Sequence, residues 1–372
     1  MSSTNQEKSP TPGPASPAGK KSPTPAPLSP MADEPSEPTG LLSGSHWAEQ
    51  ELPLDDDADS TLGSDAESST ASLTSSIMRY RTIKGRTYHS DAATDQEYWG
   101  PNDEKANEML DIFHHFQTLL FDGKLHTAPL KDDIENALDV ATGTGLWAID
   151  FADEYPKCNV YGTDISPIQP SWVPPNLRFD IDDVTKPWTY QENFFDYVHI
   201  RWLTGVIKDW TALYKEAYKC MKPGAWIEHI DAEVNLVCHD GTMPKESAIN
   251  QWGEIWSEVG RKTGLIFNMV DSGCMENGIE EAGFTNIQVK DYLAPCSPWP
   301  EDAKTKEIGL WQYIFLIQDI EGFLNYFLGQ IMDWSDKEMA TYAACLRKEY
   351  KDQKIHAYFK WRVVLAQKPL DA

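Results

Sequence analysis

The chain has 372 residues, 41% of them hydrophobic, which is enough for a sizeable core, and it carries a formal net charge of −26 at pH 7. A field of that sign repels phosphate backbones and anionic lipid, so direct nucleic-acid and membrane-surface binding are set aside, and small molecules or proteins remain as partners. The six cysteines, at 158, 220, 238, 274, 296 and 345, form no C-x-x-C pair and no group at zinc spacing, so no metal site is expected.

Residues 1–78 read as a disordered, acidic, Pro/Ser-rich tail. Up to Ser76 it holds 11 of the 25 prolines and 12 acidic against 3 basic residues, with Trp47 as its lone large aromatic. Such a segment buries too little apolar surface to offset its ordering entropy. The start Met1-Ser2-Ser3-Thr4 has neither the charge nor the apolar run of a signal peptide, and no stretch reaches the roughly 18 apolar residues of a membrane span. A cytoplasmic or nuclear, non-secreted location is therefore the expectation, with reduced thiols.

The folded domain is placed at 79–372. Pro101-Asn102-Asp103-Glu104 opens a helix, with Asn102 or Asp103 as cap and Ala106, Met109, Phe113, Phe116 and Leu120 at helical spacing; Asp122-Gly123 ends it. Strand-like runs then alternate with helical ones. The strands are Ala137–Ala141, Val160–Thr163, Leu177–Ile181, Phe195–Ile200 and Ala225–Ile230, and the helices are Leu146–Glu154 and Trp210–Cys220. Alternation of this kind predicts a parallel sheet wrapped by helices on both faces, with ligands at the carboxyl ends of the strands. Beyond residue 245, helices are expected at about 246–262, 272–282, 303–330 and 336–350, with strands at Ile287–Leu293 and His356–Gln367. The helical stretch between the last two strands, about 300–352, is too long for a hairpin loop, and reads as an insertion that either covers the pocket as a lid or only packs on the sheet.

Leu138-Asp139-Val140-Ala141-Thr142-Gly143-Thr144-Gly145 is a strand followed by a glycine turn, where the backbone must turn tightly and let a ligand approach. Gly143-x-Gly145-x-x-Ala148 alone also fits a nicotinamide-nucleotide fingerprint. Asp139 helps to separate the two. A pyrophosphate favours bare amides, whereas S-adenosylmethionine carries an ammonium and a sulfonium that favour carboxylates. Asp164, 19 residues past Gly145 at the end of the second strand, can accept both ribose hydroxyls, with Ile165 beside it. Asp182, Asp183 and Val184 end the third strand, where an adenine amino group would lie. The expected cofactor set is thus Asp139, Ala141, Thr142, Gly143, Gly145, Asp164, Ile165, Asp182, Asp183 and Val184.

Residues 88–368 resemble the fungal LaeA-like methyltransferases, through the glycine turn, Trp147-Ala148-Ile149-Asp150, Gly162-Thr163-Asp164-Ile165-Ser166-Pro167-Ile168-Gln169-Pro170, Lys222-Pro223-Gly224, Glu281-Ala282-Gly283-Phe284 and Pro298-Trp299-Pro300. The resemblance implies a class I, Rossmann-like fold of seven strands with the seventh inserted antiparallel, S-adenosylmethionine as cofactor, and methyl transfer as the reaction. The chain departs from the family at Ala141, where a glycine is usual, and a methyl group there tightens the approach to the cofactor's carboxylate end.

Methyl transfer is an in-line displacement at an already activated carbon, so orientation and exclusion of water supply much of the acceleration and a base is optional. The candidates for one are His199 and Arg201 at the end of the fourth strand and Glu228, His229 and Asp231 at the end of the fifth. Trp311, Tyr313 and Phe315 in the insertion are either acceptor contacts or core. Two functions fit: methylation of a small molecule in fungal secondary metabolism, or a nuclear regulator of that metabolism acting with velvet-type partners, as the resemblance implies. Ser-Pro and Thr-Pro steps in the tail suit regulation by phosphorylation.

Overall fold

The structure is a computed structural model that describes residues 40–50, 76–94 and 98–372. At its centre are five parallel strands, β3 (Asn136–Val140), β4 (Asn159–Asp164), β5 (Leu177–Ile181), β6 (Phe195–Arg201) and β7 (Met221–Ala232), in the spatial order β5-β4-β3-β6-β7. The sheet is completed by β10 (Ala357–Gln367), which runs antiparallel between β7 and the edge strand β9 (Thr285–Pro295), and by the two-residue β8 (Val237–Cys238) on the start of β10. Leaving β8 aside, this is the seven-stranded class I arrangement with its last strand inserted antiparallel. Every position of β3 is buried, as befits a central strand covered on both faces. In register, Val140 lies opposite Thr163 and Ile200, so the carboxyl ends of β3, β4 and β6 finish level and open on one rim.

Helices cover both faces. On one, α4 (Trp210–Cys220) and α6 (Cys274–Glu281) build a core around Leu213, Tyr214, Met275 and Ile279. On the other, α2 (Glu104–Leu120), α3 (Leu146–Glu154) and α5 (Ala248–Thr263) join a second core with Phe113, Trp147, Phe151 and Trp256. Asp103 caps α2 by accepting from the Ala106 amide at 3.2 Å, and the left-handed pair Asp122 and Gly123 (φ 61° and 79°) stops it.

Three features depart from the sequence expectation. The expected helix over 303–330 is broken into α7 (Ala303–Gln318), α8 (Ile320–Tyr326) and a π-turn at Phe327–Ile331, ahead of α9 (Asp336–Lys351). The break falls at Asp319, whose carboxylate accepts from the Gly322 amide at 3.2 Å and from both terminal nitrogens of Arg86 at 2.8 Å. Arg86 belongs to a small hairpin, β1 (Arg81–Ile83) and β2 (Arg86–Tyr88), turning at Lys84-Gly85, where the sequence suggests no element. Lastly, residues 40–50 were assigned to the structureless tail, yet they carry a helix, α1 (Gly44–Ala48), packed on the domain. Trp47 is 3% exposed and lies edge-on to Tyr342 at 4.9 Å, while Gln251 accepts from the Leu42 amide at 2.7 Å and donates to the Gly40 carbonyl at 3.1 Å. One large aromatic and a pair of backbone bonds hold this segment on the domain. Of the expected tail, 1–39 and 51–75 lie outside the described residues. Among those described, no helix is long and apolar enough to cross a membrane.

Candidate active site

The rim formed by β3, β4 and β6 opens on a large cavity, closed on its far side by α2 and the insertion. The turn after β3 takes positive φ three times in five residues, at Ala141 (54°), Gly143 (60°) and Gly145 (82°). Gly145 is needed twice over, because a Cβ there would stand 2.3 Å from the Phe179 ring. Ala141 adopts the left-handed region with a side chain, so the turn holds strain at the position where a glycine was expected.

Three groups of carboxylates surround this turn. Asp139 is buried, with one oxygen accepting from His199 Nδ1 at 2.8 Å and the other from the Thr142 hydroxyl. Asp164 accepts from the Gly143 amide at 2.8 Å and the Ser166 amide at 2.9 Å, and desolvation pushes its carboxyl up to about 6 against those two bonds. Gln169 ties the following loop back by donating to the carbonyls of Gly143 (2.6 Å) and Ser166 (3.0 Å). Past β5, Asp183 accepts from the amide of Thr185 at 2.9 Å and from the hydroxyls of Thr185 and Thr94, and burial raises the neighbouring Asp182 carboxyl.

Of the ten residues expected to hold the cofactor, nine line this cavity: Asp139, Ala141, Thr142, Gly143, Asp164, Ile165, Asp182, Asp183 and Val184. Gly145 stands behind them. Among the candidate bases, Arg201 alone faces the cavity. Its guanidinium donates to His114 Nδ1 at 3.2 Å, His114 Nε2 in turn donates to Asp150 at 2.9 Å, and desolvation pushes Arg201 down to about 10. Burial holds His114 below its usual value, consistent with a neutral ring that accepts on one nitrogen and donates from the other.

The remaining candidates lie behind the wall. His199 stacks on Trp147 at 3.7 Å and, pushed down by burial, serves as a neutral donor to Asp139. Glu228 is fully buried and accepts from the amides of Thr127 and Ala128, the Thr127 hydroxyl and the Tyr197 hydroxyl. His229 is bonded to the Tyr214 hydroxyl at 2.7 Å and stacked on Trp210, and Asp231 accepts from Leu203, Thr204 and Ala232. None of these four side chains lines the cavity; His199 and Asp231 reach its wall only through Asp139 and Leu203. In the insertion, Trp311 rests on His115, whereas Phe315 is buried against Phe113 and Phe116.

Sequence reasoning missed Asp319 and Phe323, which the insertion brings to the cavity, and the Arg201–His114–Asp150 relay. His114 lies one helical turn after Leu110 on the face of α2 that lines the cavity, and that spacing was the available signal.

The donor set can be tested against the two cofactors that the glycine turn admits. Carboxylates ring the turn, which would repel a pyrophosphate and attract an ammonium, a sulfonium and hydroxyl donors. Arg201 supplies one cation for a carboxylate in the same cavity. These residues fit S-adenosylmethionine.

The family described as a methyltransferase domain matches residues 112–289. Fold and site thus define a class I S-adenosylmethionine-dependent methyltransferase. Methyltransferase pytC of Aspergillus terreus is 35% identical over 306 residues, covering 82% of this chain and 93% of that protein. Secondary metabolism regulator LAE1 of Cochliobolus heterostrophus is 33% identical over 77% of this chain and 94% of its own length. Protein-methionine methyltransferase laeA of Emericella nidulans is 28% identical over 83% of this chain and 82% of its own. The chain belongs to this LaeA-like family of fungal secondary-metabolism methyltransferases and regulators.

Proposed function

We propose that the chain methylates a small, largely apolar molecule of secondary metabolism. The observation that carries this reading is the make-up of the cavity. Its lining combines the carboxylates Asp139, Asp164, Asp182 and Asp183 with the rings of Tyr98, Trp99, Phe113, Trp202 and Phe323. The carboxylates suit the cofactor and the rings suit a flat acceptor. Asp164 would hold the ribose hydroxyls, Asp182 and Asp183 the adenine end, and Asp139 and Arg201 the ammonium and carboxylate of the methionyl end.

The bound cofactor supplies a methyl group on a sulfonium. A lone pair on the acceptor's oxygen or nitrogen forms the new bond to that carbon, the sulfur keeps the bonding pair as it leaves, and any proton on the acceptor passes to solvent. The chain's part is to hold the two reactants in line and keep water out.

The test is incubation of the protein with S-adenosylmethionine labelled in its methyl group and, separately, a small-molecule extract and a protein extract of a producing fungus. Label in the organic-soluble fraction supports the proposal. The second reading, a regulator acting with velvet-type partners in the nucleus or cytosol, is favoured by relatives named as regulators and as a protein-methionine methyltransferase. Label found in protein alone would replace the first reading with the second.

A further inference from the structure

Behind the aromatic wall lies a second cavity, and we infer that it is an acceptor chamber, built for a flat apolar ring system that carries a hydrogen-bond donor and an acceptor side by side. The inference rests on the small-molecule reading above and names its substrate class.

Trp99, Trp202 and Phe323 belong to the walls of both cavities. Past them the second cavity encloses about 520 Å³ of empty space, its mouth included, between Trp252, Trp256, Phe267 and Phe315. Trp256 and Phe267 stack at 5.3 Å and 22°, and Trp252 meets Trp256 edge-on at 5.2 Å, so the wall is built of rings that pack on one another. Large rigid rings of this kind offer contact area to a flat ligand at little conformational cost.

One side-chain amide in this wall has both its polar atoms unengaged. Gln312 of α7 is 1% exposed, and neither its Oε1 nor its Nε2 has a hydrogen-bond partner among the described residues. Leaving a primary amide buried and unpaired is costly, and a Leu or Met would fill the position without that cost. The other polar groups there are taken up: Glu233 accepts from the amides of Val270, Asp271 and Asn235, and Thr204 donates to Asp231. The exceptions are the indole nitrogens of Trp99 and Trp256, which lack partners among the described residues. A primary amide presents one acceptor and one donor side by side. Its complement is a lactam, a carboxylic acid or a hydroxy-ketone on a planar scaffold.

The partition itself is strained. Trp202 is a bulky residue at φ 53°, held by its amide bond to the Ile230 carbonyl at 2.9 Å, with its ring against Phe113 at 4.3 Å. This unusual backbone puts an indole between the chambers, where the acceptor's reactive end has to pass toward the cofactor.

The test is calorimetry on the full chain with S-adenosylhomocysteine, 2-quinolone and N-methyl-2-quinolone. The first quinolone offers N–H and C=O side by side, and the second has lost the donor. Wild type should bind 2-quinolone about tenfold more tightly than its N-methyl form, the worth of one hydrogen bond to a buried partner. Gln312→Leu should lose about tenfold for 2-quinolone and erase the preference, with S-adenosylhomocysteine affinity unchanged; Gln312→Met serves as a second variant of the same length. Equal binding of both probes to wild type, binding of neither, or a preference that survives in the variants overturns the inference. Failure of S-adenosylhomocysteine to bind while the quinolone preference holds would sink the cofactor assignment and leave the chamber standing.

Discussion

The carboxyl of Asp164 is desolvated in the cavity wall and pushed up to about 6, with the amides of Ser166 and Gly143 acting the other way. Because this value lies above the unfolded value of about 3.9, the stability linked to this group is fully present below about pH 4 and is lost as pH rises through about 6. Cofactor binding has the opposite dependence, since the ribose hydroxyls need the anion as acceptor. Affinity for S-adenosylmethionine should therefore fall as pH drops from about 7.5 to about 5. Asp164→Ala should remove that step and weaken binding by about 1–3 kcal/mol, both read by calorimetry across the range. A flat profile in wild type would show that Asp164 does not meet the ribose. At Ala141 the left-handed φ of 54° sets a second expectation. Ala141→Gly relieves strain and should leave thermal stability unchanged or higher, whereas Ala141→Val should lower it by about 1–2 kcal/mol, since branching at Cβ disfavours that region further. Denaturation midpoints of the two variants decide this.

Among the elements, those that carry local periodicity were legible: α3 and α4 have the expected bounds, and every strand of the sheet except the two-residue β8 was expected, with ends within a few residues. What escaped is set by contacts far apart in sequence. The break between α7 and α8 depends on Asp319 meeting Arg86, 233 positions away, and nothing in the helical pattern of 303–330 signals it. The hairpin that carries Arg86 has three-residue strands, too short for an alternation to be read. Arg86 grips Asp103 at the start of α2 and the fully buried Asp319 at the start of α8, so one guanidinium joins the hairpin, α2 and the insertion. Its removal would strand a buried carboxylate. Arg86→Ala should cost about 3–5 kcal/mol in urea denaturation, and Arg86→Lys should not restore it, because an ammonium cannot fork between two carboxylates. A loss below about 1 kcal/mol would mean that the cluster is solvated and the insertion held by other contacts.

At the scale of the whole molecule, the boundary between tail and domain was the least legible feature. Composition places 40–50 in the tail, and only the tertiary environment of Trp47, beside Tyr342 and near Trp334, explains why that segment packs on α5 and α9. Trp47→Ala should make the segment susceptible to limited proteolysis while leaving the cofactor affinity of the domain near wild type. Equal resistance of both proteins would show that the segment is held without its indole. The glycine turn and the acids at the strand ends were readable because each lies within a few residues of its own strand. The aromatic part of the lining was not, since it is assembled from the segment ahead of α2, α2 itself, Trp202 just past β6 and the insertion. If these parts hold S-adenosylmethionine through Asp164, calorimetric titration of the full chain and of Asp164→Ala with S-adenosylmethionine and with NAD will show micromolar binding of S-adenosylmethionine alone, weakened in the variant. No binding, equal binding of NAD, or an unchanged affinity in a folded variant would rule that arrangement out.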